Sequence, residues 1–327
     1  MRVRKLYRGA LGSILLALIL SCSRVSESPR TASATPIPSK AAQEVDRQAQ
    51  IPPNAVKMSP ESDEHPPQVH SSEYEPPIPL PGDVNTAGAE DSPFITLDGN
   101  TLYFFFTPDA NIPAEKQLSD SVTGIYVSHK VNDEWSKGER ILLQDPGKLA
   151  LDGCEFVLGD IMWFCSAREG YTGVHWFTAE NIHGSWQNWE PADFNPAYQV
   201  GELYISRDGT ELYFGSDRPG GKGGLDIWVS EKWDGIWQVP VNLAPVNTAD
   251  REGWPALNSG GDELWFYRNY SIWRSKKVGG EWQAAELMVS SLAGEPSLDE
   301  AGNLYFVHHF YSGDRLIEAD IYVAYKR

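Results

Sequence analysis

Cations are scarce in this chain of 327 residues: 27 Lys and Arg stand against 45 Asp and Glu, a formal charge of −18. Affinity for nucleic acid comes from cations that neutralise phosphates, so nucleic acid is excluded as the main partner. Cysteine is scarcer still, and three residues cannot build a disulfide scaffold. Long apolar runs are missing too. The best, Ala10 to Leu20, covers eleven residues broken by Gly12 and Ser13, short of the roughly 18 that a spanning helix needs. What is plentiful is aromatic (12 Trp, 14 Tyr, 12 Phe) and turn-forming (29 Gly, 23 Pro). That mix suits many short strands joined by tight turns and suits long helices poorly.

The start of the chain reads as an export signal. Arg2, Arg4, Lys5 and Arg8 precede the apolar run without an acid among them. The run ends Ile19-Leu20-Ser21-Cys22, which resembles the bacterial lipobox. The resemblance implies a signal peptide over residues 1–21, cleavage before Cys22, and acyl chains such as palmitate on its sulfur and new amino group. A membrane would then be held through Cys22. The residues alone leave open an ordinary or uncleaved signal with an incidental cysteine. Ser23 follows, where Asp would favour inner-membrane retention in enterobacterial-type sorting, so the outer membrane is the expected destination. Cleavage would take the 27 cations to 23 against the same 45 acids.

Residues 23–75 hold 19 Ser, Thr or Pro among 53 and one aromatic, Tyr74. So little apolar surface does not offset the entropy of ordering, and residues 22–75 are expected to be a disordered, extended tether.

From Pro76 the composition changes, and 36 of the 38 aromatics lie in residues 76–327. This part repeats itself. Gly201 to Leu243 reads as four strands: GELYIS, ELYFGS, DIWVSEK and WQVPVNL. The second strand recurs from Leu102, Ile161, Leu264 and Leu304, and the third from Ile125, Val174, Ile272 and Ile321. A Trp opens the fourth at Trp135, Trp186, Trp237 and Trp282. Five copies of about 50 residues predict an all-β, five-bladed propeller of four-stranded antiparallel blades. The last copy stops after its third strand. Residues 76–93 parallel 238–255, a fourth strand and its onward link, so Ile78 to Pro81 is expected to pair with Ile321 to Tyr325 and close the ring.

The repeat resembles the TolB-like, WD-like propeller repeat of bacterial periplasmic proteins. It does so through Ser206-Arg207-Asp208-Gly209, Leu212-Tyr213-Phe214, Ser216-Asp217-Arg218, Gly220-Gly221 and Asp226-Ile227-Trp228. The likeness covers residues 76–327, and only the third copy carries every element. It implies a fold and leaves function open, since such propellers serve as binding platforms and as companions to enzymes.

An acid precedes the first strand of every copy: Glu90 or Asp91, Glu155, Glu202, Glu252 and Glu295. If these ring the mouth of a funnel they must raise one another's pKa, bind a cation, or pair with the arginines expected on that face, Arg168, Arg218 and Arg268. They could equally brace strand starts. A catalytic reading also exists: Asp91-Ser92-Pro93-Phe94 looks like the first-blade opening of propeller glycoside hydrolases of the arabinanase and xylosidase kind. Glu155 and Glu202 would be the later acids. The loop Arg218 to Gly224 lacks the helix a phosphate cradle needs, and its amides are expected to be capped by Asp226 or Asp217. His308 and His309 are adjacent and point to opposite strand faces, so they form no shared metal site. No metal or cofactor motif emerges. Cys154 and Cys165 flank a two-residue turn at Gly159-Asp160, facing each other as a cross-strand disulfide or as two buried thiols.

These readings combine into a non-enzymatic, membrane-tethered envelope lipoprotein whose propeller binds a protein or glycan, with a glycoside hydrolase or lectin-like module as the alternative. Oligomeric state is not legible.

Overall fold

The computed structural model describes residues 46–194 and 200–327. The signal segment and Cys22 lie outside the described residues. Among the described residues the strands form five antiparallel four-stranded units. In unit one the strands are Ala89–Ile95, Thr101–Thr107, Gly124–Val131 and Glu139–Arg140. Unit two runs through Ala150–Leu158, Ile161–Arg168, Val174–Ile182 and Ser185–Pro191. Unit three uses Leu203–Ile205, Glu211–Ser216, Asp226–Trp233 and Val241–Asn242. Unit four has Glu252–Leu257, Glu263–Arg268, Ser271–Val278 and Glu286–Ser290. Unit five takes Ala293–Leu298, Leu304–Ser312 and Arg315–Ala324, and its fourth strand is Ile78–Pro79.

The first strands touch in a cycle: unit one meets two, two meets three, three meets four, four meets five and five meets one. The chain is a β-propeller. Closure follows the expected register, Ile78 opposite Val323 and Pro79 opposite Tyr322, with the Leu80 amide donating to the Ile321 carbonyl. The parallel between residues 76–93 and 238–255 is physical. Asn85 clamps the backbone of Ile321 through both amide atoms, and Asn247 clamps Ile227 in the same way. Thr86 donates to Glu90, and Thr248 to Glu252.

The core lies between units. The second strands bury Leu102, Phe104, Phe106, Leu212, Phe214, Leu264, Phe266, Leu304 and Phe306. Apolar burial at about 25 cal/mol per Å² makes these inter-unit faces the main source of stability.

The expected tether is corrected over residues 46–75, which are strapped onto the wheel. Arg47 is buried and reaches Glu90 at 3.1 Å. Lys57 pairs with Glu318 and Asp320, and Asp63 accepts from His308 at 2.9 Å. Gln68–Val69 adds a strand outside unit four. Glu73 holds Arg274 through both carboxylate oxygens, at 2.7 and 2.9 Å. The reason is charge. Units two and four end their second strands on Arg168 and Arg268 and unit three has Arg218 two residues beyond its own, whereas unit one ends in Thr107 and unit five carries His308 and His309. Arg47 and Lys57 bring the missing cations. The propeller domain therefore starts well before residue 76, and residues 22–45 lie outside the described residues.

Candidate functional site

Four of the first strands carry a bulge. Register shifts between Asp91 and Phe94, Gly153 and Phe156, Gly253 and Ala256, and Gly294 and Ser297. Ser92, Cys154, Trp254 and Glu295 sit at these bulges with φ of 50°, 57°, 49° and 53°. That region is unfavourable for a residue bearing a Cβ, and each instance costs on the order of 1 kcal/mol. A bulge bends the strand and re-aims its side chains. Here all four residues line one central cavity of about 50 Å³.

The sequence expected five equivalent acids, and the structure divides them. Relative to the bulge, Asp91, Glu155 and Glu295 occupy three different positions. Glu252 leaves the set. It occupies the position of Glu90 and Asp152, and these three acids pair with arginine: Glu90 with Arg47, Asp152 with Arg168 at 2.9 Å, and Glu252 with Arg268 at 2.7 Å. The guanidinium groups lie over aromatic rings, Arg47 4.8 Å from Phe106, Arg168 4.3 Å from Trp189 and Arg268 4.6 Å from Trp273. Arg218 likewise lies over Phe214 and bonds the Ser216 hydroxyl. Arg168, Arg218 and Arg268 are therefore braces within the units, and none lines the cavity. Arg47 was invisible in the sequence, because its segment has the composition of a spacer.

Glu155, Glu202 and Glu295 do line the cavity. Asp91 stands next to it, accepting from the Ser92 amide at 3.0 Å, with His309 Nε2 3.9 Å away. Both Glu155 oxygens, one oxygen of Glu202 and one of Glu295 are buried without a hydrogen-bond partner. Burial, reinforced by the Asp91 charge, pushes Glu202 up to about 8. Burial, with Glu202 and Asp91 nearby, raises Glu155 well above the usual range, and Glu295 rises for the same reasons. Asp91 goes the other way. Burial opposes its charge, but His309 and the Ser92 amide outweigh it and hold the group below the ordinary value.

The remaining sequence readings are settled locally. Asp226 accepts from the amides of Lys222 at 2.5 Å and Gly223 at 3.3 Å, so the Gly-rich loop is capped by its own aspartate. His308 and His309 face different acids, Asp63 and Asp91. Cys154 and Cys165 are bonded, their Cα atoms 5.5 Å apart. Their pairing needs a correction, since the bulge places Cys165 opposite Gly153 rather than Cys154.

The sequence matches no family model and no curated protein. Among solved structures the fold is similar to an endo-arabinase from Bacteroides thetaiotaomicron, at 14% identity and TM-score 0.47, covering 75% of this chain and 97% of that one. It is also similar to a putative TolB from Agrobacterium tumefaciens, at 14% identity and TM-score 0.41, covering 82% and 88%. A gluconolactonase from Xanthomonas campestris matches at 12% identity and TM-score 0.43, covering 80% and 95%. At these identities the likeness concerns the fold alone.

Proposed function

We propose that this protein is a non-enzymatic propeller of the bacterial envelope, lipid-anchored at Cys22, that binds a protein partner on its outer rim. One observation carries the reading: the outer hairpin of unit three is apolar at Ile236, Val239 and Val241, where unit one has Glu134, Lys137 and Glu139, and it adds Trp233 where units one and four expose only Val131 and Val278. Trp233, Ile236, Val239 and Val241 are 60 to 71% exposed. Val241 pairs with Val229 as Glu139 pairs with Val127 in unit one and Glu286 with Arg274 in unit four. Val239 likewise corresponds to Lys137 and Ala284. Exposed apolar groups gathered on one hairpin mark an interaction surface.

The test places a photo-crosslinking residue at Val239 in the full chain, in intact cells. One protein adduct should form, and Val239→Lys with Val241→Glu should abolish it. That pair copies unit one and so leaves the fold in place. Absence of any adduct from a correctly folded, membrane-retained chain rejects the reading.

A second reading, glycoside hydrolysis, is favoured by the split between an ionised Asp91 and a protonated Glu202, as acid and base roles require. Against it, 50 Å³ falls far below the roughly 300 Å³ of a ligand-sized pocket. Sugar release from a polysaccharide panel, lost in Asp91→Asn, would establish it.

A further inference from the structure

We propose that the central cavity is a cage for one primary ammonium group, either the side chain of a lysine on a partner polypeptide or a small free amine. Its walls combine two chemistries. Phe94, Phe156, Tyr204 and Trp254 supply aromatic surface, and Glu155, Glu202 and Glu295 supply carboxyl oxygens. Glu155 is only 6% exposed, yet neither of its oxygens has a partner. A buried carboxyl group left unsatisfied is costly, so the site is built for something that donates to it.

A metal ion fits poorly. Among the described residues no three His, Cys, Asp or Glu side chains converge on a common ion, and aromatic walls offer a hard cation nothing. An alkylammonium suits both components. Its N–H donors suit the unpartnered carboxyl oxygens without requiring all three acids to meet at one point, and its positive charge and methylene groups suit the ring faces. The size agrees as well, since 50 Å³ is the space of about three or four waters. The unpartnered Trp254 Nε1 and Ser92 hydroxyl leave donors for a water beside the ligand. The cage is separate from the apolar hairpin of unit three, so either can fail without the other.

The titratable groups around the site are Asp91, Glu155, Glu202, Glu295 and His309. Burial favours the protonated form of these glutamates in the empty cage, so a cation competes with protons there and its binding is expected to release protons to the buffer. Calorimetry on the full chain with n-butylammonium chloride and Nα-acetyl-lysine methylamide, in buffers of different ionisation enthalpy, tests this. Saturable binding at pH 8 is expected, at least tenfold weaker at pH 5.5, with proton release. Glu155→Gln and Glu202→Gln should each weaken it at least tenfold, and Val239→Lys with Val241→Glu should leave it unchanged. Binding of both probes identifies a partner's lysine as the source, whereas binding of butylammonium alone identifies a free amine. Failure of both probes overturns the cage. So does unchanged binding in both glutamine variants, equal binding of the norleucine isostere, or calcium chloride binding that the amines do not displace.

Discussion

The ring of Tyr74 meets the ring of Trp265 edge-on, their centroids 5.7 Å apart. The contact repeats elsewhere with the residue types exchanged. Trp135 of unit one meets Tyr305 of unit five, Trp186 of unit two meets Tyr103 of unit one, and Trp282 of unit four meets Tyr213 of unit three. In each case an aromatic at or just ahead of a fourth strand packs on the second strand of the preceding unit. Tyr74 does this for unit five, and its backbone bridges to Lys326 as Trp135 pairs with Lys130. The segment that closes the wheel therefore begins at Tyr74, ahead of the Ile78–Pro79 strand.

Tyr74→Ala removes that ring and its hydroxyl bond to the Gly302 carbonyl, 3.0 Å long. A loss of about 3 kcal/mol is expected, in line with aromatic-to-alanine changes in cores. Urea unfolding followed by tryptophan fluorescence measures it. A change below about 1 kcal/mol would mean that the N-terminal strand is not part of the cooperative unit.

A chain trimmed to start at Pro76 loses Tyr74, Arg47 and Lys57 together. Glu90, fully buried, is then left without its guanidinium, and Glu318 and Asp320 lose their ammonium. Breaking one buried pair costs about 3 to 5 kcal/mol, so the trimmed chain should unfold well below the longer one or fail to fold. A chain starting at Asp46 should keep full stability. Equal melting temperatures for the two would contradict the strap.

The buried glutamates predict a pH dependence of definite sign. Glu202 titrates at about 8 when folded and near 4.5 when unfolded, so between these values the folded chain binds more protons. Stability must fall as pH rises through that window. Glu202→Gln should be the more stable chain at pH 8, by about 2 kcal/mol because residual solvent contact reduces the full effect, and should match the parent near pH 4.5. Thermal melts across pH 4.5 to 8.5 provide the check. A variant that loses stability at pH 8 would show that the carboxylate is satisfied by a partner.

Reduction of the Cys154–Cys165 bond opens a loop with a sequence separation of 11. Loop-closure entropy gives an expected loss of about 3 kcal/mol or less. Urea midpoints with and without dithiothreitol should separate accordingly, and Cys165→Ala should reproduce the reduced midpoint in both conditions.

The repeating strands, the turn at Gly159-Asp160, the capping role of Asp226 and the pairing of Ile78 with the last strand could all be read from the residues in order. Each rests on short-range physics: alternation of apolar side chains, glycine where φ is positive, a carboxylate beside free amides. The closure was legible because residues 76–93 copy 238–255, down to the asparagine that clamps the third strand of the unit being completed. Where acids face is another matter. A bulge shifts every later side chain by one position, and the residues that bulge are Ser92, Cys154, Trp254 and Glu295, which share no type. Hence Glu252 and Glu155 looked equivalent in sequence, although one is neutralised by Arg268 and the other stands unpartnered in the cavity. The strap was hidden for a related reason. Arg47, Lys57 and Tyr74 belong to a segment too poor in apolar surface to fold by itself, and their partners lie 43 to 263 residues away. Composition reports only what a segment can bury alone, and the sites these residues complete exist only once the wheel has formed.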